Sequence, residues 1–413
     1  MDSATLLQYA LLGLVPLLLF AYVLGVRRAR PMAPGMHFHS APSYYGWYAV
    51  VWVGMPAFGV YGLSLLLRSV GLYDTPALAT IAGVLLVAGL GLVYGISRIT
   101  PELRAIHAVE KTIMRVLLVC SCISVLTTVG IVLSIVFETL QFFKFVSVWE
   151  FLTGTTWDPD TAFLQGAGRD GGAVSEAKFG SLPLFAGTFM ITGIAMLVAM
   201  PVGLLAAIFM SEYASAFARK VSKPTLEILA GIPTVVYGYF AAITVGPLVV
   251  HLAESIGLSA VYNNALAPGL VMGVMIIPFV SSLSDDVINA VPQSLREGSM
   301  AVGATQSETI LRVVLPAAMP GIVSAFLLAV SRAVGETMIV VMAAGLHPNL
   351  TANPLESMTT VTVRIVDALI GDQEFNSPLT LSAFALGFVL LVLTLIMNII
   401  SLYVVRRFKQ HYE

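Results

Sequence analysis

Arg332 and Glu336 are the two charges whose type and place in the chain could handle an anion inside a membrane. They lie in SRAVGETMIVVMAAG, Ser331–Gly345, a run with no other charge. An Arg at mid-membrane depth costs from ~2.5 kcal/mol on insertion scales to over ~10 in simulations, so it faces a partner or a cavity. A spacing of four residues predicts that both groups share one helix face. Two readings follow from the residues. In one they form a structural ion pair that lets both stay buried. In the other the planar Arg fork gives a tetrahedral oxyanion two parallel, permanently charged hydrogen bonds, and Glu336 keeps the ion from being held too tightly. Arg115, near the end of another apolar run, reads as a snorkelling anchor.

A second group is not apolar at all. EGSMAVGATQSETILRVVLP, Glu297–Pro316, stands between two apolar runs and carries its own helix punctuation. Pro292 suits a helix start, Leu295, Met300 and Val302 supply a short apolar set, and Gly303 fits a helix stop. Thr305 with Glu308 three residues on forms a capping box, each side chain satisfying a backbone N–H of the next helix. That helix runs through Ile310, Leu311, Val313 and Val314 and is expected to end at Pro316. The stretch therefore predicts an amphipathic hairpin at the membrane surface.

The elements that must position these groups are membrane spans. The chain is 58% hydrophobic and 11% charged, against about 25% charged for a soluble domain, so an all-α polytopic membrane protein is expected. Runs long enough to cross ~30 Å of hydrocarbon fall at residues 6–26, 44–67, 77–97, 113–137, 185–210, 226–250, 266–283, 321–343 and 381–405, about nine spans. The first is not a signal peptide, because Arg27, Arg28 and Arg30 follow its apolar run. Between the fourth and fifth spans lies the longest loop, residues 138–181, in which 165–172 has too few apolar residues to fold by itself. With the N-terminus outside, fourteen of the 21 Lys and Arg fall on inner segments and five on outer ones, the bias expected of cytoplasmic loops. The hairpin would then face the cytoplasm.

Several chemistries are disfavoured. Cys120 and Cys122, the only cysteines, fall inside a span and point in different directions, so neither a disulfide framework nor a metal site is expected. His37 and His39 read as part of a linker. A net charge of −2 gives no support for nucleic-acid binding. None of the six lysines follows a glycine, so the Gly-Lys of a phosphate-binding ATPase loop is missing and the chain is not its own ATPase. Pro201, Pro233, Pro268 and Pro278, with Gly193, Gly203, Gly231 and Gly273 close by, fit either ordinary helix packing or breaks that let helices tilt.

The spacing of Glu297, Gly303, Val313, Leu315 and Pro316 resembles the coupling loop of ABC importer permeases, with Gly298-Ser299 where that pattern has Ala-Ala. Four further stretches, residues 187–213, 227–238, 275–292 and 331–345, extend the likeness to the permease of the Pst-type phosphate ABC importer over roughly 113–413, and GETM followed by VVMAAG resembles its C-type subunit. The resemblance implies a six-helix permease core, 113–413, with a coupling hairpin at 285–316, preceded by a three-span module and connector, 1–112. It implies that Glu297, Gly303, Leu315 and Pro316 couple to an ATPase and that Arg332 and Glu336 line the translocation path. The implied partners are a homologous A-type permease subunit, two ATPase subunits, a periplasmic phosphate-binding protein and membrane lipid. No cofactor is expected on this chain, ATP being used by the partner subunits. The implied location is the bacterial inner membrane, with the N-terminus periplasmic and the C-terminus cytoplasmic. A permease for another oxyanion (sulfate, molybdate or phosphonate) and an ion-coupled secondary transporter are the alternatives, since an Arg fork alone does not choose among oxyanions.

Overall fold

Apolar chain in a bilayer must satisfy its backbone internally, which leaves helices or closed barrels, and this chain is helical nearly throughout. A computed structural model describes residues 3–30, 38–69, 71, 77–159, 178–370 and 377–409. Among them, eight helices are long and apolar enough to cross a membrane. The first expected span coincides with a further helix, α1 (Ser3–Arg28), of 26 residues. His37 and residues 165–172 lie outside the described residues.

The chain divides into two compact units, Met1–Gly130 and Ile131–Glu413. In the first, α1 packs with α2 (Pro42–Ser69) and α3 (Ala77–Ser97). Their shared core is Leu14, Ala21, Ala49, Val53, Ala57, Val84 and Ala88, the small-residue interface that lets membrane helices approach closely. The connector to α4 (Ala105–Phe142) is fixed by Tyr45, whose hydroxyl donates to the Leu103 carbonyl at 2.7 Å, and by Ser40 Oγ, which accepts from Ile106 N at 3.3 Å. The expected domain boundary at 112/113 and the boundary between the two units both fall within α4.

The second unit begins in the last turns of α4, followed by α5 (Val148–Thr153) and a two-residue antiparallel ladder, β1 (Trp157–Asp158) with β2 (Lys178–Phe179). Phe142, Phe151, Trp157 and Phe179 stack edge-on in one buried cluster. The ends of the long loop are therefore folded by aromatic packing that an apolar-run reading passes over. Then α6 (Leu182–Ile208) ends in a π turn, Phe209–Tyr213. It packs lengthwise on α10 (Leu266–Asn289), so closely that a Cβ at Gly273 would lie 2.9 Å from the Ala195 carbonyl and from Val198.

The expected sixth span, 226–250, needs correction. Residues up to Gly231 belong to an amphipathic helix, α7 (Ala216–Gly231), with no buried residue. Pro233 breaks the chain, and the apolar helix is α8 (Thr234–Phe240), continuing through a π turn into α9 (Gly246–Ser255). By contrast, Pro201 and Pro278 sit inside continuous helices.

The expected eighth span, 321–343, is also redrawn. A helix that starts at α12 (Gln306–Thr309) passes through a π turn, Ile310–Val314, into α13 (Leu315–Val334). It stops at Gly335 and resumes as α14 (Met338–Ala343). Pro316 does not end it: as the second residue of α13 it directly follows the widened π turn, where the missing N–H and the bulk of the proline ring are accommodated. The last elements are α15 (Val361–Leu369) and α16 (Pro378–Lys409).

Candidate functional site

Two regions of the second unit gather the residues singled out above. The first is the hairpin, where α11 (Gln293–Ala301) precedes α12. Gly303 has φ +90°, the left-handed region that favours glycine. Thr305 Oγ1 accepts from Glu308 N at 3.3 Å while Glu308 Oε2 accepts from Thr305 N at 3.0 Å, the reciprocal box expected from the sequence. Glu297 is exposed on α11. Leu315 packs partly buried beside Ala207, Ile288 and Ala318, and Pro316 is exposed. The last two thus belong to the membrane helix rather than to the hairpin tip.

What aims the hairpin was not legible as more than charge. Arg296 reaches the Ile288 carbonyl at 2.8 Å and the Val291 carbonyl, capping the end of α10. It also pairs with Glu212 at 3.0 Å, both side chains nearly buried. Gln306 Nε2 donates to the Glu212 carbonyl at 2.7 Å, and Ser299 and Thr309 hydroxyls meet at 2.9 Å across the hairpin. So α6, α10 and both hairpin helices are tied at one knot. Leu295, Met300, Val302 and Leu311 are exposed, Val302 to 86%.

The second region is a cavity of about 350 Å³. On α10, Met275, Pro278, Phe279, Ser282 and Asp285 line it, a helical repeat of three and four. On α7, Lys223, Glu227 and Ala230 do so with the same repeat, and α13 contributes Arg332. The Arg332 guanidinium stands 5.6 Å from the centre of the Phe279 ring, a cation–π contact. Asp285 is 1% exposed and shared by two cations, Arg219 Nη2 at 3.3 Å and Lys223 Nζ at 3.5 Å; Asn289 Nδ2 donates to its other oxygen at 2.8 Å.

Arg332 and Glu336 are not on one helix face, which corrects the spacing argument. Gly335 caps α13 after Val334, so Glu336 lies beyond the helix. Its Oε1 accepts from Met338 N at 3.2 Å and Ile339 N at 3.5 Å, capping α14. Among the described residues Arg332 has no carboxylate partner and Glu336 does not line the cavity. Of the residues that sequence reasoning counted only as inner-loop charge, Lys223 lines this cavity and Arg219 holds its buried Asp285 from behind the lining.

Residues 199–410 match the family described as binding-protein-dependent transport system inner membrane component, and residues 11–75 match one described as phosphate ATP-binding cassette transporter. A Bacillus subtilis (strain 168) protein named probable ABC transporter permease protein YqgH is 34% identical over 292 residues, 70% of this chain and 89% of that protein. Phosphate transport system permease protein PstC 1 of Mycobacterium bovis is 35% identical over 275 residues, 62% of this chain and 81% of its own length. Phosphate transport system permease protein PstC of Mesorhizobium japonicum is 31% identical over 274 residues, 63% and 79% of the two chains. With half of its length matching one family model and its apolar helices arranged around a charged cavity and an exposed hairpin, the chain belongs to the inner-membrane components of binding-protein-dependent ABC transport systems.

Proposed function

We propose that this chain is the C-type permease subunit of an ATP-driven importer of inorganic phosphate. What carries the reading is the similarity of its core to proteins named as phosphate transport permeases. An A-type permease subunit pairs with it, a periplasmic binding protein delivers the ion, and two separate ATPase subunits hydrolyse ATP. The hairpin is the ATPase docking element: the left-handed turn at Gly303 and the Thr305/Glu308 box fix its shape, and the exposed Leu295, Met300, Val302 and Leu311 offer it an apolar face. The hairpin side is cytoplasmic, and the N-terminus is periplasmic.

Arg332 lines the path. An Arg without a carboxylate partner beside a cavity is an expensive arrangement in a membrane, and an entering oxyanion supplies the missing counter-charge in the planar geometry that guanidinium favours. Glu336 acts from the break between α13 and α14, holding the turn below Arg332 rather than competing for it directly. The test is company and energetics together. The chain should copurify with an ATPase and a phosphate-binding protein, and reconstituted vesicles with the binding protein outside and ATP inside should take up phosphate only when ATP is supplied. Uptake that persists on an ion gradient without ATP would overturn the reading.

A further inference from the structure

The pairing of charges at the cavity is uneven in a way the permease assignment does not explain. Asp285 is buried, yet two cations from α7 share its single carboxylate, Arg219 at 3.3 Å and Lys223 at 3.5 Å. Arg332 lines the same cavity with the Phe279 ring beside it and, among the described residues, no carboxylate within ion-pair distance. Of the three cations, Lys223 and Arg332 line the open space and Arg219 does not. The lining carries two cations, Lys223 and Arg332, and two carboxylates, Asp285 and Glu227; with Arg219 beside Asp285, three cations stand against two carboxylates, and only Asp285 is ion-paired among the lining carboxylates. Glu227 lines the cavity too, but it is exposed and is not within ion-pair distance of any of the three among the described residues.

We propose that Asp285 is a built-in occupant of an anion subsite, and that the transported oxyanion displaces it from Lys223 so that Lys223 and Arg332 hold the ion together. The inference rests on the transport reading above and adds a second ligand to it. Geometry favours Lys223 as the exchangeable partner. Arg219 meets both Asp285 oxygens, at 3.3 and 3.4 Å, whereas Lys223 meets one. A Lys ammonium is a compact charge on a flexible stem, free to turn from one oxygen to another. Asp285 stays anchored by Arg219 and by Asn289, so it returns to Lys223 when the ion leaves. An internal competitor weakens the site enough for release, which a path requires and a storage site does not.

The experiment measures binding of radiolabelled phosphate to the purified complex of permease and ATPase subunits without the binding protein, alongside ATP-dependent uptake in vesicles. Lys223→Gln is expected to weaken binding about tenfold at unchanged abundance; its side chain is 42% exposed, so folding tolerates the change. Lys220→Gln removes the same charge three residues away, outside the cavity lining, and should bind as wild type does. Asp285→Asn should bind phosphate more tightly and transport it more slowly, because the competitor is gone. Equal binding by the Lys223→Gln and Lys220→Gln complexes, or weaker binding by Asp285→Asn, overturns the proposal. If Asp285→Asn does not assemble, the lysine pair alone decides. A wild-type complex that binds sulfate and not phosphate, with the same dependence on Lys223, would retain the subsite and refute the phosphate reading instead.

Discussion

Gly303 offers the sharpest way to learn whether the hairpin's shape is what its partner reads. Its φ of +90° is one that a residue with a Cβ adopts at a cost of about 1 to 2 kcal/mol. A Cβ built there meets nothing within 4 Å, so within this chain the cost comes from the backbone and not from a clash. If docking requires the native turn, that cost appears in the ATPase affinity as a loss of about 5- to 30-fold. The side chains then rank by their tolerance of a left-handed backbone: Gly303→Asn and Gly303→Asp mildest, Gly303→Ala intermediate, Gly303→Val most severe. The assay is titration of purified ATPase subunit onto detergent-solubilised permease, with coupled ATP hydrolysis as a second readout. Asn and Val variants that lose affinity equally would refute the backbone argument and point to a partner surface pressed against Gly303. A series that docks uniformly well would refute the docking assignment itself.

Arg296→Met strands Glu212 beside the knot of α6, α10 and the hairpin, at up to about 3 to 5 kcal/mol; thermal unfolding should drop accordingly, and adding Glu212→Gln should recover part of it. A double-mutant cycle on Arg332→Met and Glu336→Leu should give stability changes that add within about 0.5 kcal/mol, since the two side chains are not paired; a larger coupling would restore the ion pair. Deleting residues 1–98 should leave a chain that inserts and transports with all partners present, because the family match over 199–410 lies wholly beyond the deletion. A truncated chain that inserts without uptake would make the first three helices part of the mechanism.

Local chemistry explains which features the sequence disclosed. The hairpin was legible because its signals act over three or four residues: Gly303 needs only its own φ, and Thr305 with Glu308 close a box inside one turn. Pro316 misled because proline reads as a stop wherever its neighbours are unknown, whereas here the π turn Ile310–Val314 lets the helix run on. The four-residue spacing of Arg332 and Glu336 misled for the opposite reason. It assumes an unbroken helix, and Gly335 ends that helix between them. The cavity itself could not be read, since Asp285 meets Arg219 across 66 residues of sequence. A partial signal did exist. Lys223, Glu227 and Ala230 repeat at helical spacing, as do Phe279, Ser282 and Asp285, so two charged helix faces were visible while their meeting was not.

In the proposed function phosphate crosses this protein past Arg332, driven by ATP hydrolysed on separate subunits. The most direct measurement is phosphate uptake into vesicles holding the full complex, with wild-type chain or Arg332→Lys at matched abundance and matched ATPase docking. Lys keeps the charge and loses the two-pronged geometry. Uptake should be ATP-dependent in the wild type and largely lost in Arg332→Lys. Uptake at the wild-type rate by the Lys variant would remove Arg332 from the path, and uptake by either complex without ATP would exclude ATP-driven import.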